Sequence, residues 1–424
     1  MQSITQWDWQ PGRKTVLRSV SPMAGHQWQE EIQASPDGET MAAIVRLGED
    51  GFGLRTNDTL WETLFEKAWC PRFAPDNRLT ALVQVDGLWT LAVDGETWPE
   101  TYDFIWNTLF SPDGSTIAAA VQQDMRYGMS RNGETWETLF DNATGYAISA
   151  DGGSVAAMVQ TVPLGQADVE TFAKGVYSLA VNGTAWPVNF LNCWSPVLDA
   201  TGAHAACQVR LNTSEYTVAI NGIPWKRTFS CVWEPVFNPA TGVVAAPVRI
   251  GGKWGMAANG EILWKPAFSQ CWQPAYGPDG ENLWAIVATD YGHFTVARNG
   301  QPWKPTFPVV TDLVLSPDGR HAAALGSANN AAFRIMVDGT VWDGAYDMAN
   351  KPVCSPDGRH VAVRVEKDGA AMLLCDGRPL KEKFDQLWDP LFSPDSTKLL
   401  VRAVQQGAFV RLVLPLAAAT GETS

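Results

Sequence analysis

Phe268-Ser-Gln-Cys-Trp-Gln-Pro-Ala-Tyr276 leads into the turn Gly277-Pro-Asp-Gly280 and then into Leu283-Trp-Ala-Ile-Val287. A loop at Asp290-Tyr-Gly292, the run Phe294-Thr-Val-Ala297, the pair Asn299-Gly300 and the run Trp303-Lys-Pro-Thr-Phe307 complete the stretch. It consists of four short apolar runs parted by turn residues. Pro presets the backbone at the second turn position, Asp bonds its own backbone and Gly supplies positive φ. Asn-Gly is the strongest two-residue hairpin signal. Four antiparallel strands in about 40 residues make one blade of a β-propeller.

The same order of signals recurs along the whole chain. Ser35-Pro36-Asp37-Gly38 returns intact at Ser111, Ser316 and Ser355, and in degenerate form at Ala74, Ser149, Leu198, Asn238, Gly277 and Ser393. The steps between the ten copies are 39, 37, 38, 49, 40, 39, 39, 39 and 38 residues. Asn-Gly appears at Asn132, Asn182, Asn221, Asn259 and Asn299, and Asp-Gly fills the slot at Asp94, Asp338 and Asp376. This predicts an all-β propeller of about ten four-stranded blades, with residues 1–424 as one repeat domain. Two five-bladed rings are the alternative, and the unbroken period argues against them.

The last repeat has an inner strand (Leu387–Phe392), a second strand (Lys398–Val404) and a third strand (Ala408–Leu414), then Ala417-Ala-Ala-Thr-Gly and no fourth strand. An extra apolar run, Lys14–Val20, precedes the first repeat. It is expected to complete the tenth blade and so remove an exposed sheet edge. The order of signals resembles the WD-repeat and TolB-like propellers, in which Ser-Pro-Asp-Gly follows the innermost strand. This chain departs from them by placing Asn-Gly and then Trp where a WD-repeat ends its third strand.

Two tryptophan series follow the grid. One, expected to open the outermost strand, is Trp61, Trp98, Trp136, Trp186, Trp225, Trp264, Trp303 and Trp342. The other opens the innermost strand at Trp69, Trp106, Trp233, Trp272 and Trp388, with Trp194 nearby. These account for most of the 20 tryptophans and are expected to fill the space between blades, each indole N–H bonded to a neighbouring backbone. A subset that includes Trp194, Trp233 and Trp272 could instead form an exposed aromatic rim for a partner.

Net charge is −14, spread along the chain, and there is no Lys/Arg run, which excludes a nucleic-acid binder of the usual basic kind. The N-terminal stretch Trp7-Asp-Trp9-Gln-Pro-Gly-Arg-Lys14 is largely polar, and no apolar run reaches the roughly 18 residues of a membrane span. Seven Cys without a C-x-x-C pair fit a reducing compartment, so the expected location is cytoplasmic. There is no G-x-S-x-G, no phosphate-binding glycine loop and no metal motif; the five His are isolated. The chain is expected to be non-catalytic, with no cofactor and no metal.

Two features break the repeat. About ten extra residues fall between the second and third strands of the fourth repeat, in the loop 161–174 (TVPLGQADVETFAK). A loop of that length on a regular scaffold is a candidate contact site, with Phe172 as anchor and Asp168, Glu170 and Lys174 around it. The second feature is a run of thiols on successive inner strands. Cys193 is three residues after Phe190, Cys231 two after Phe229 and Cys271 three after Phe268. Three thiols from adjacent blades could hold a soft metal or an iron–sulfur cluster. The one-residue offset turns Cys231 to the opposite face, which favours buried filler.

The Trp grid, as in Asn299-Gly-Gln-Pro-Trp303-Lys-Pro-Thr-Phe307, resembles the tryptophan-rich subunit of the transmembrane Tmc electron-transfer complex of sulfate-reducing bacteria. The resemblance implies a non-catalytic scaffold subunit at the cytoplasmic side of a membrane redox complex. The implied partners are a cytochrome b, an iron–sulfur protein and a multihaem cytochrome c. It carries no ligand residue onto this chain. The rival reading is a small-molecule or ion binding module that uses the central channel of the propeller.

Overall fold

The computed structural model describes residues 4–48 and 51–420. The chain is a ten-bladed, all-β propeller of four-stranded antiparallel blades. Blade 3 shows the pattern: an inner strand Phe104–Phe110, then Ile117–Gln123, Arg126–Arg131 and a two-residue outer strand Glu134–Thr135. Blades 1 to 9 are each built from strands consecutive in sequence. The tenth takes its outer strand from the N-terminus: Gly12–Leu17 pairs antiparallel with Ala408–Pro415, from Gly12 opposite Val413 to Leu17 opposite Phe409. The pairing starts two residues earlier than the expected run and ends at Leu17; Val20 adds one backbone bond, to Gly407 O at 2.8 Å. Among the described residues only this sheet joins strands from both ends of the sequence.

Arginine ties the closing blade to the first. Arg402 Nη1 donates to Ser35 O at 2.9 Å and Arg411 Nε to Asp37 O at 2.7 Å, both in the first Ser-Pro-Asp-Gly turn. The two guanidiniums are buried, and burial lowers the Arg402 pKa to about 10.

Small and β-branched residues give the second strands their depth. Met41-Ala-Ala-Ile-Val45 and Ile117-Ala-Ala-Ala-Val121 are buried on both faces, as a strand packed between two other layers must be. The core is a series of clusters between neighbouring blades; one joins Leu91 and Trp98 of blade 2 to Ile105 and Ala119 of blade 3. By contact density the chain forms two compact units, Met1–Leu79 with Gly277–Ser424, and Thr80–Tyr276.

The turn chemistry is repeated atom by atom. In Ser111-Pro-Asp-Gly114 the Ser Oγ donates to Asp113 Oδ1 at 2.6 Å and accepts from Thr116 N–H at 3.0 Å. The Ser111 hydroxyl, with the Ser115 backbone and hydroxyl, holds the Asp113 carboxyl at about 2, below the usual carboxylate range. At the other turn, Asn132 sits at φ +49° and its Oδ1 accepts from Ile117 N–H at 2.8 Å, the start of the second strand. Asn is chosen there for two reasons: it tolerates the left-handed region, and it returns a bond across the sheet.

The outer tryptophans differ from expectation in two ways. They follow the two-residue outer strand instead of opening it, except Trp264, which lies inside Glu261–Phe268. Trp303 follows Gln301–Pro302, and its N–H donates to Val296 O at 2.8 Å. After Trp303 only the isolated Phe294–Phe307 bridge follows, whereas Trp264-Lys-Pro-Ala-Phe268 of blade 6 stays within the strand Glu261–Phe268. Six of the indoles pack on the turn glycine of the next blade, among them Trp136 on Gly183, Trp303 on Gly339 and Trp342 on Gly377. A Cβ on Gly183 would lie 3.2 Å from Trp136 Cβ and Cγ, at φ +81°. The expected indole hydrogen bond is missing at two of them: Trp136 and Trp225 bury Nε1 with no partner.

Candidate interaction surface

A backbone irregularity builds the surface. Each inner strand that begins with Trp follows it with a polar residue and, in most blades, Pro: Trp69-Cys-Pro, Trp194-Ser-Pro, Trp233-Glu-Pro, Trp272-Gln-Pro, Trp388-Asp-Pro. The strand bulges at this position with or without the Pro, since the register also shifts between Glu30 and Gln33, between Thr144 and Ala147 and between Thr311 and Val314. The pairing register shifts between Trp106 and Leu109 and between Trp194 and Val197. The residue after the Trp takes a left-handed backbone at Asn107 (φ +53°), Ser195 (+51°) and Gln273 (+51°). In blade 6 the strand breaks into Cys231–Val232 and Val236–Phe237. Non-glycine residues held at positive φ cluster where structure serves function. In the sequence the Trp-x-Pro spacing marks Ser195 and Gln273, and nothing marks Asn107.

The bulges turn the indoles toward solvent. Within Thr80–Tyr276, Trp106, Trp194 and Trp272 are half-buried and Trp233 is 39% exposed. Flanking rings fix their planes. Trp233 stacks on Trp254, centroids 5.5 Å apart and nearly parallel. Trp194 stacks on Tyr216 at 6.3 Å, and the Arg210 guanidinium lies over that tyrosine. Trp106 meets Phe104, Tyr127 and Tyr146 at 5.8 to 6.2 Å. Beside Trp233, Glu234 accepts from the N–H of Gln273, one blade on. Burial raises the Glu234 carboxyl above its ordinary value, more than its backbone bonds lower it.

The loop 161–174 lies at the end of blade 4 where the inner strand begins, since Gln160 N–H donates to Asn142 O. It carries a short helix, Val169–Ala173, capped by Asp168, whose Oδ1 accepts from Thr171 N–H at 3.0 Å. That bond lowers the Asp168 pKa. Glu170 and Lys174 are exposed and bond each other at 3.0 Å. Phe172 is half-buried, and the exposed apolar residue is Val169, at 72%. The bulges of blades 4 and 5 adjoin, because a Cβ on Gly145 would lie 3.1 Å from Pro196. Loop and indoles therefore occupy the same end of their blades.

The thiols are not brought together. Cys193 is buried beside Cys207 in the core of blade 5, Cys271 is fully buried, and Cys231 is half-buried with Sγ toward Val232 O. Burial pushes the Cys207, Cys231 and Cys271 thiols up. Among the described residues no three His, Cys, Asp or Glu side chains converge as a metal site. No described helix is long and apolar enough to cross a membrane.

At the opposite end of the inner strands of blades 3 to 6 lies a cleft of about 620 Å³. Phe110, Ile148, Val197, Leu198, Val236 and Phe237 wall it, with Asp199, Thr201 and Asn238 at its edge.

No family model matches the sequence, and no curated protein matches it significantly. Among solved structures, a prolyl endopeptidase aligns over 80% of this chain and 54% of its own, at 10% identity and a TM-score of 0.39. Prolyl oligopeptidase B from Galerina marginata aligns over 70% and 55%, at 9% identity and 0.38. The Cps50 (Swd1) β-propeller domain of Myceliophteria thermophila aligns over 64% and 96%, at 12% identity and 0.33. The chain thus spans about half the length of the two peptidases. All three scores are low, and the propeller assignment rests on the strand pairing of this chain.

Proposed function

We propose that this chain is a non-catalytic interaction subunit whose docking surface is the inner-strand tryptophans of blades 3, 5, 6 and 7 with the loop 161–174. The observation that carries this reading is the half-exposure of Trp106, Trp194, Trp233 and Trp272 at one repeat position. Large rings held rigid by stacked neighbours, and left partly wet, are the side chains that dominate protein interfaces. The finer reading is a scaffold on the cytoplasmic side of a membrane redox complex, with cytochrome b, iron–sulfur and multihaem cytochrome c partners. It rests on the resemblance of the Trp grid to the Tmc tryptophan-rich subunit. The net charge of −14 suits a basic docking patch on such a partner. The test is co-purification from the native host with the loop shortened, and separately with Trp194, Trp233 and Trp272 changed to Ala. Loss of stoichiometric partners supports the surface, and unchanged recovery overturns it.

The 620 Å³ cleft favours a second reading, a small-molecule binding module. Its size and apolar walls with a few polar edge groups match ligand sites of about 300–1,000 Å³. A thermal-shift screen separates the two, because a cleft ligand raises the melting temperature without any partner.

A further inference from the structure

The blade joints carry a substitution with a consequence. At joint after joint a Trp from one blade fills the space beside the turn glycine of the next. Leu380 holds that place in blade 9. Its N–H donates to Leu373 O at 2.8 Å, as Trp342 N–H does to Ile335 O at 2.9 Å in blade 8. The following blade also lacks the Asn-Gly turn: its third strand Ala408–Pro415 runs directly into the helix Leu416–Thr420. Both the indole and the turn that it packs against are therefore replaced.

The result is an apolar pocket of about 340 Å³, walled by Leu380, Phe384, Leu414 and Ala419. The corresponding joint of blade 3, with Trp136 in place, leaves about 250 Å³. Arg378 and Lys381 stand at the lip. Arg378 Nη1 donates to Thr420 O, and among the described residues its Nε and Nη2 make no hydrogen bond. Glu382, the one acid among the described residues that line the pocket, faces Arg13 at 3.4 Å.

We propose that this pocket binds a small aromatic carboxylate of indole size. The ring takes the place that Trp holds at the other joints, and the carboxylate meets the free edge of Arg378 and the Lys381 ammonium. Arg presents a planar fork that suits a carboxylate. The site lies in a different unit from the docking tryptophans and does not depend on them.

The test is calorimetric titration of the whole chain with indole-3-acetate and with tryptamine, which has the same ring and a positive charge. Expected is one indole-3-acetate per chain, with tryptamine at least about tenfold weaker. Leu380→Trp, which rebuilds the usual joint, should abolish binding while keeping or raising the melting temperature. Arg378→Gln with Lys381→Gln should remove the preference for the carboxylate. No binding of indole-3-acetate at millimolar concentration, or undiminished binding by folded Leu380→Trp, overturns the proposal; equal binding of tryptamine overturns the role of the basic lip.

Discussion

Trp136 offers a sharp test of how the blades are joined. It is 7% exposed, packs on Gly183 of the next blade and buries its Nε1 without a partner. A buried Trp removes about 150–250 Å² from water, which at about 25 cal/mol per Å² is about 4–6 kcal/mol. Trp136→Ala should therefore cost about 3–5 kcal/mol, the range for large aromatic truncations. Trp136→Phe is the informative partner. Phe keeps most of the ring contact with Gly183 and Phe140, and it removes an unbonded N–H whose burial costs about 1–3 kcal/mol. The gain and the loss nearly cancel, so the variant should lie within about 1.5 kcal/mol of the parent. Trp284 is the control. Its Nε1 donates to Gly319 O at 3.1 Å, so Trp284→Phe loses a bond and should cost more than Trp136→Phe. The assay is urea unfolding followed by far-UV circular dichroism, comparing midpoints and slopes, because repeat arrays can lose cooperativity. Trp136→Phe as damaging as Trp136→Ala would refute the idea that the indole acts by shape alone.

Gly183→Val should destabilise by more than about 1 kcal/mol, since φ +81° excludes a branched residue and Trp136 blocks the side chain; thermal melting measures it. The turn carboxylates set an acid limit. Asp113 has its folded pKa depressed to about 2, and Asp151 and Asp318 are also lowered, chiefly by their Ser hydroxyls. The unfolded chain then binds more protons, so this stability is present above about pH 4 and lost as pH falls toward 2. Asp113→Asn should flatten that dependence in melts between pH 2 and 5. Trp233→Ala removes a half-exposed ring stacked on Trp254 and should cost only about 0.5–1.5 kcal/mol beyond its lost burial, while sharply reducing partner capture. A melt and a pull-down on the same sample separate the two effects.

Most of the fold is legible in the chain because Ser-Pro-Asp-Gly and Asn-Gly each have a single physical use. The Ser hydroxyl and Asp carboxylate lock the turn, and the Asn side chain bridges two strands, so the marks locate every blade. The closing strand is legible for a related reason: the tenth repeat lacks an outer strand, and residues near Lys14 have nothing else to pair with. The outer strands mislead because Trp303-Lys-Pro-Thr-Phe307 is apolar enough for a strand, yet the ladder stops at Pro302 and returns only as the Phe294–Phe307 bridge. The inner-strand indoles are visible as a series, but not which of them reach water. That depends on the bulge: Trp-x-Pro marks the left-handed Ser195 and Gln273, but the spacing does not give a ring's exposure. Phe172 reads as the loop anchor from its chemistry; the helix capped by Asp168 instead turns Val169 outward. The 620 Å³ cleft is built by four blades at once and has no local signal.

The most direct test of the interaction reading is purification of the protein from its native host in mild detergent, with mass spectrometry and absorbance read on the same sample. Stoichiometric partners are expected, with haem and iron–sulfur absorbance if the redox complex is the right one. A colourless protein recovered alone would contradict the account and leave the cleft as the functional site.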